Sequence, residues 1–181
     1  NIESNRYWQA QLGSKLVSQP LPFLPLITKK SFISTRRTIS GAQFQKLKVF
    51  VQQYHTTPFQ LMMATLACLL HHYLPDCDEE TINDLVITYC ASQRRKHQPM
   101  GCYLKIFPLF IACHDKDSPL TIINKIQAQR HDHRIHQAIK LGALFSIVDE
   151  EVNRHQPLFN IVVNHSPGLL PLSSPTIKGE K

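Results

Sequence analysis

The fold is decided by the stretch LVITYC, residues 85–90, which is followed twelve residues later by CYLKIFPLFIAC, residues 102–113. Both runs are almost continuously apolar, without the alternation of a half-exposed strand, and this is typical of strands covered on both faces. Weaker β patterns occupy Ser31–Ile39 and Leu158–Asn164. We predict that these four segments form one mixed sheet.

Helical patterns lie between the predicted strands. Apolar residues recur at helical spacing in Asn5–Leu12 and Ser40–His55, and Ser118-Pro119 is typical of a helix start, here running to about Ala138. Phe59–Leu74 is apolar on nearly all sides, so we expect it to be the most buried helix. The order predicts an α/β fold (α+β in two layers), with helices packed on the sheet.

We expect Met62, Leu66 and Leu69 to form the buried contacts of that long apolar helix. A weaker helical pattern covers residues 144–152.

Composition narrows the class of protein. The 181 residues are 43% hydrophobic, enough for a core, and 20 Lys and Arg against 13 Asp and Glu give a net charge of +7. The basic residues are dispersed and lack interleaved aromatics, which argues against nucleic acid as a partner. The uncharged stretch 56–75 is marginal for a bilayer helix and contains two histidines, so no membrane association is predicted. The five cysteines contain no CxxC, which favours free thiols and a reducing cytoplasm.

One catalytic pattern occurs in HHYLPD, residues 71–76, which matches HHxxxD. In acyl-transfer sites of this pattern the second histidine, here His72, is a general base and the aspartate fixes the local geometry. The alternative is a polar helix C-terminus, where histidine also suits the helix dipole. We favour the alternative, because the pair closes an apolar helix just before Pro75.

Two further clusters have competing interpretations. His131, Asp132, His133 and His136 lie close together on one predicted helix, but a zinc site needs further ligands. With Arg130 and Arg134 alongside, we predict a solvated basic face and no metal. The turn SQRRKH, residues 92–97, could hold an anion such as the phosphate of phosphopantetheine through Arg94, or it could be a solvated loop.

The order of several segments resembles the second half of condensation domains from nonribosomal peptide synthetases, a family similar to chloramphenicol acetyltransferase. The matching segments are YWQAQL (7–12), TPFQLMMA (57–64), SQR (92–94), MGCYLKIFPL (100–109), HQ (136–137) and PLFNIV (157–162). Three features depart from the family pattern. Lys105 replaces the usual Asn, Phe110 stands where Arg is common, and LGAL (141–144) replaces PFE after the HQ pair.

The resemblance implies two lobes that meet at a channel, with the catalytic motif in one lobe and channel-wall residues in the other. The family's catalytic HHxxxDG precedes the YW segment, so by position His72 is a decoy, and no catalytic residue is assigned to this chain. Residues 1–165 would be the C-terminal lobe, truncated at both ends, and residues 166–181 a loop or frayed tail. This lobe would supply channel wall, with Arg94, Gly101 and Lys105 as candidate channel residues.

The same resemblance implies partners and an alternative. A condensation domain joins an acyl or aminoacyl thioester on one carrier protein to an amine on another, so the partners would be carrier domains with their phosphopantetheine arms, the missing N-terminal lobe and neighbouring synthetase domains. No cofactor would be bound directly. The alternative is a degenerate, non-catalytic module kept for carrier docking, which the missing Asn, Arg and PFE favour. In either case a lone ammonium mid-strand at Lys105 is expected to face a water-filled cleft or a carboxylate.

Overall fold

The structure is a computed structural model, and it describes residues 2–13, 34–39, 41–73, 85–92, 103–147 and 160–165. Within these ranges, helices flank a small sheet. In chain order the elements are α1 (Ile2–Leu12), α2 (Gly41–Gln53), α3 (Pro58–Tyr73), β1 (Leu85–Ser92), β2 (Leu104–Ile111), α4 (Pro119–Ile135), α5 (Leu141–Ile147) and β3 (Val162–Val163).

The sheet has the order β2-β1-β3 and is mixed. β1 and β2 pair antiparallel from Leu85 opposite Ile111 to Ser92 opposite Leu104, and β3 pairs parallel with the middle of β1. The first five residues of β1 are buried, as are the last five of β2. The predicted mixed sheet with helices packed on it is therefore confirmed.

Two strand predictions need correction. Residues 34–39 have no regular structure and are exposed, so Ser31–Ile39 is not a strand over the part that is described. A few β-branched residues without a partner strand cannot form a ladder, whatever their propensity. The last strand is also shorter than Leu158–Asn164: among the described residues of this segment only Val162–Val163 is strand, although the Ile161 carbonyl also accepts from the Thr88 amide, and residues 158–159 lie outside the described ranges.

The long apolar helix α3 packs on β1 and α4, but through a different face from the one predicted. Phe59, Met63 and Ala67 are buried at a spacing of four, whereas Met62 and Leu69 are 41% and 51% exposed. The prediction for Met62 and Leu69 is wrong. A helix that is apolar all round carries no stripe in its sequence, so only the neighbouring elements decide which side is covered.

Helix α4 begins as predicted. Ser118 is its N-cap, accepting a hydrogen bond from the Thr121 amide, and Pro119 fills the first helical position. The helix ends at Ile135 and not at Ala138, with His136 as the C-cap residue. Ile122, Ile123 and Ile126 seat it on the core.

The core joins α1, α3, α4, α5 and the sheet. Its largest fully buried side chains are Trp8, Leu12, Met63, Val86, Ile87, Leu109, Ile111, Ile122, Ile123, Ile126 and Leu144. None of the helices in the described ranges has both the length and the apolar character to cross a bilayer.

Candidate functional site

The C-terminal end of α4 is held by side chains from two other elements. The indole Nε1 of Trp8, on α1, donates to the carbonyl oxygen of His136 at 3.1 Å. The ammonium of Lys105, on β2, donates to the carbonyls of Gln137 and Ile139 at 2.8 and 2.7 Å. The His136 carbonyl belongs to the C-cap residue of α4, and the Gln137 and Ile139 carbonyls follow it in the connection to α5. Main-chain carbonyls outside a helix need donors, so an N–H group and an ammonium both suit this position.

Lys105 therefore has different partners from those expected. Its ammonium was predicted to meet a cleft or a carboxylate, but two main-chain carbonyls hold it. Partial burial lowers the pKa of Lys105. Whether the side chain also borders a substrate channel stays a prediction.

Three of the segments that carry the family resemblance meet at this point. The Tyr7 ring stacks on the His136 ring with centroids 4.2 Å apart, and Trp8 stacks on Phe107 at 5.5 Å. Together with the hydrogen bond from Lys105 to Gln137, these contacts join the YW segment, the LKIFPL strand and the HQ pair. Residues far apart in sequence thus form one compact cluster, which we call the YW–HQ junction (Tyr7, Trp8, Lys105, Phe107, His136, Gln137).

His133 lies buried beside this junction, and the predicted solvated face is wrong at this residue. Its ring is 2% exposed, lies 4.7 Å from that of Trp8, and its Nδ1 shares a 3.2 Å hydrogen bond with the hydroxyl of Tyr89. Burial, with Arg130 and His136 nearby, lowers the pKa of His133 to about 4. Burial also raises the pKa of Tyr89. Both groups are therefore neutral at pH 7, and the phenol can donate to the imidazole.

Arg130 also belongs to the buried side of α4. Its guanidinium carbon lies 4.8 Å from the centre of the Phe59 ring and 5.3 Å from that of Tyr89. Sequence reasoning placed it on a solvated face, yet a signal was present: Arg130 and His133 follow Ile123 and Ile126 by seven residues, and two helical turns bring such pairs to the same side.

His71 and His72, the histidines of the HHxxxD pattern, lie near the N-terminal end of α4, whereas the YW–HQ junction lies at its C-terminal end. His71 Nε2 pairs with Asp115 Oδ1 at 3.1 Å, and His72 is exposed. Asp76 lies outside the described ranges. The two histidines border a cleft of about 300 Å³, which is also lined by Cys68, Cys113, His114, Asp115, Asp117 and Ile122.

That cleft has the residue types of a reactive site without the arrangement of one. Burial is the main cause of a raised pKa for Cys68, the opposite of what an activated thiolate requires. Asp117 forms an ion pair with Lys125 at 2.7 Å. In the part of the chain that the structure describes, no three His, Cys, Asp or Glu side chains come together as metal ligands.

Two predicted channel residues, Arg94 and Gly101, lie outside the described ranges, as does the tail from residue 166. Their roles stay predictions.

The chain is similar to a known protein family and to two solved structures. The family model named Condensation domain matches residues 2–175. The X-domain from teicoplanin biosynthesis superposes with a TM-score of 0.64 at 19% identity, over 89% of this chain and 36% of that one. The first condensation domain of the calcium-dependent antibiotic synthetase, in complex with a substrate analogue, gives 0.50 at 14% identity, over 90% and 33%. No curated protein matches the chain.

The chain thus covers little more than a third of the first of these solved structures and 33% of the second. At such low identity the superpositions show the fold, which is the chloramphenicol acetyltransferase-like fold of condensation domains. The family model, by contrast, spans nearly every residue. We conclude that the chain belongs to the condensation-domain family and forms part of such a domain.

Proposed function

We propose that this chain is the C-terminal lobe of a condensation domain in a nonribosomal peptide synthetase. The complete domain would form an amide bond between a carrier-bound acyl or aminoacyl thioester and a carrier-bound amine. This lobe would supply one wall of the channel and part of the carrier-docking surface. The partner lobe would supply the general base. The phosphopantetheine arms would arrive with the carrier domains, in the cytoplasm.

The observation that carries the proposal is the YW–HQ junction. Segments that resemble the family at residues 7–8, 104–109 and 136–137 are distant in sequence, yet they contact one another through Trp8, Lys105 and Tyr7. Chance matches to short motifs would have no reason to converge in space. The convergence supports the order of motifs in the second half of a condensation domain, and with it the C-terminal position.

The decoy status of His72 agrees with this placement. A general base must lie within hydrogen-bond reach of the proton that it removes. His72 is exposed on the last turn of α3, beside a cleft whose acidic groups are already paired: Asp115 with His71 and Asp117 with Lys125. The role of general base is therefore assigned to the partner lobe.

A second candidate function is the non-catalytic docking module. One specific observation favours it: Lys105, at the position where the family usually has Asn, uses its ammonium to hold the end of α4. A residue occupied with main-chain carbonyls has fewer donors left for a substrate.

One experiment separates the two candidates. The complete parent protein is supplied with donor and acceptor carriers loaded with aminoacyl groups, and dipeptidyl carrier is detected by mass spectrometry. The proposal expects product from the parent, none from the isolated chain, and loss of product when the second histidine of an HHxxxDG in the partner lobe is replaced by Ala. A parent that binds carriers but forms no product under any loading would establish the docking module instead.

A further inference from the structure

The guanidinium of Arg130 sits in a setting that the proposed function does not use. It lies over the faces of Phe59 and Tyr89, at 4.8 and 5.3 Å from the ring centres. Contact with aromatic ring faces holds a guanidinium in place and leaves the N–H groups on its edge to find acceptors. The Tyr89 oxygen serves as one acceptor for this edge, whereas the buried Nε has none.

The described residues provide no anion for this cation. Arg130 forms no ion pair within them, and its Nε is buried without an acceptor. The nearest acidic residue along the helix, Asp132, is two positions away and so projects from a different side of α4, where it acts on Tyr7. A partly buried guanidinium that lacks a carboxylate and leaves a donor unpaired is costly unless something else completes it.

Further nitrogen-bearing side chains lie next to the contact of Arg130 with Phe59 and Tyr89. Arg134 follows Arg130 by one helical turn and is exposed, and its charge, like that of Arg130, partly offsets the rise that burial causes in the pKa of Tyr89. His165, exposed just after β3, has its ring 5.8 Å from that of Phe59. Arg134 on α4 and His165 after β3 therefore lie next to the aromatic rings that Arg130 contacts.

We propose that Arg130, held against Phe59 and Tyr89, is the anchor of a binding site for an oxyanion, a phosphate or a carboxylate. The planar fork of arginine matches two oxygens of either group, and such charge-assisted hydrogen bonds are stronger than neutral ones. Arg134 adds weaker, solvent-screened attraction at the rim. The site does not depend on the lobe assignment, because it rests on contacts within this chain alone.

The Nε–H group of Arg130 provides a direct readout. In a ¹⁵N-labelled full chain, its NMR signal is identified by its loss in Arg130→Lys. The signal is followed while inorganic phosphate, 4′-phosphopantetheine or succinate is added, against sodium chloride at matched ionic strength. We expect a saturable shift with at least one of the three oxyanions and none with chloride. Tighter binding of phosphopantetheine than of phosphate identifies a carrier arm as the source, and tighter binding of succinate identifies a carboxylate substrate.

Matched variants distinguish a site from a basic surface. Arg130→Gln is expected to weaken oxyanion binding about tenfold or more, the loss of a charge-assisted contact, while Arg134→Gln, with the same change in charge, weakens it less than about threefold. Thermal unfolding confirms that both variants are folded. Equal losses in the two variants, or a shift that chloride reproduces, would overturn the site.

An internal counterion is the remaining rival. Residues 149–151 are Asp-Glu-Glu, and replacement of all three by amides tests whether they pair with Arg130. An unchanged Nε–H signal in the ligand-free triple variant supports an external ligand. A changed signal, together with no shift on addition of any oxyanion to the wild-type chain, shows that the acidic segment completes the arginine and that the proposal is wrong.

Discussion

His133 and His71 are histidines on two helices that pack together, α4 and α3, and their surroundings are opposite. His133 has no recognisable motif, yet it is buried among Trp8, Tyr89 and Phe107. His71 belongs to a pattern that resembles a catalytic one, yet its side chain is 37% exposed and pairs with a surface aspartate. A motif reports residue types, whereas the packing of neighbouring elements decides what those residues can do.

The difference has a physical origin in the two helix ends. The carbonyls just beyond α4 are covered by the side chains of Trp8 and Lys105, and those elements bury His133 as they close over the helix. The described residues show no comparable cover over the last turn of α3, where His72 and Tyr73 stay exposed. Substitutions at the ends of α3 and α4 test this contrast.

Trp8→Ala should have the largest effect. The indole is fully buried, stacks on Phe107 and donates to the His136 carbonyl, so its removal leaves both a cavity and an unpaired carbonyl. We expect a loss of about 3–5 kcal/mol in the free energy of unfolding, measured by urea denaturation. Tyr73→Ala, at an aromatic residue that is 61% exposed, is the control and should cost less than about 1 kcal/mol. Similar losses in both variants would contradict the contrast between the two helix ends.

The pH dependence of stability should report His133. Its folded pKa of about 4 lies below its ordinary 6.5, so the unfolded chain takes up this proton first as the pH falls. The stability due to neutral His133 is fully present above pH 6.5 and is lost between pH 6.5 and 4, by as much as about 3 kcal/mol. His133→Gln should flatten the urea-unfolding profile over that window. A profile with the same slope in both proteins would show that the burial of His133 does not control its protonation.

Lys105→Met should come next, at about 2 kcal/mol. The substitution keeps the length of the side chain but removes both hydrogen bonds to the α4–α5 connection, and the partial exposure of the site keeps the cost below the sum of two buried charged contacts. Lys46→Met, at an exposed position of α2, is the matched control and should stay within about 0.5 kcal/mol. A loss at Lys105 no larger than the control's would favour the cleft-facing lysine that the sequence predicted.

His72→Ala should have the smallest effect. The side chain is exposed on the last turn of α3, so we expect less than about 1 kcal/mol from the lost interaction with the helix dipole. Amide-bond formation by the parent protein should change less than about twofold. A drop of a hundredfold or more with intact folding would make His72 catalytic and refute its status as a decoy.

Sequence reasoning succeeded where a local pattern has one structural solution. The apolar runs at residues 85–90 and 102–113 contain β1 and β2, because their β-branched and aromatic residues favour a buried strand over a buried helix segment. Ser118-Pro119 starts a helix because both residues suit its first positions. It failed over residues 34–39 of the predicted strand Ser31–Ile39, since β-propensity needs a partner strand and the described part of the chain offers none there. It also failed for the exposed face of α3, since Met62 and Met63 are equally apolar and only the sheet distinguishes them.

For the candidate site, what could be predicted from the sequence depends on how far apart along the chain the interacting residues lie. The sequence by itself determined the two long strands, the approximate positions of the helices and, through ordered short motifs, the family, because all of these depend on residues close together along the chain. Only the tertiary structure decided that Lys105 binds the α4–α5 connection, that His133 is buried and neutral, and that Arg130 lies against two aromatic rings. Each of those outcomes depends on a partner about 30 residues or more away, and the burial of a polar group is set by everything that packs around it.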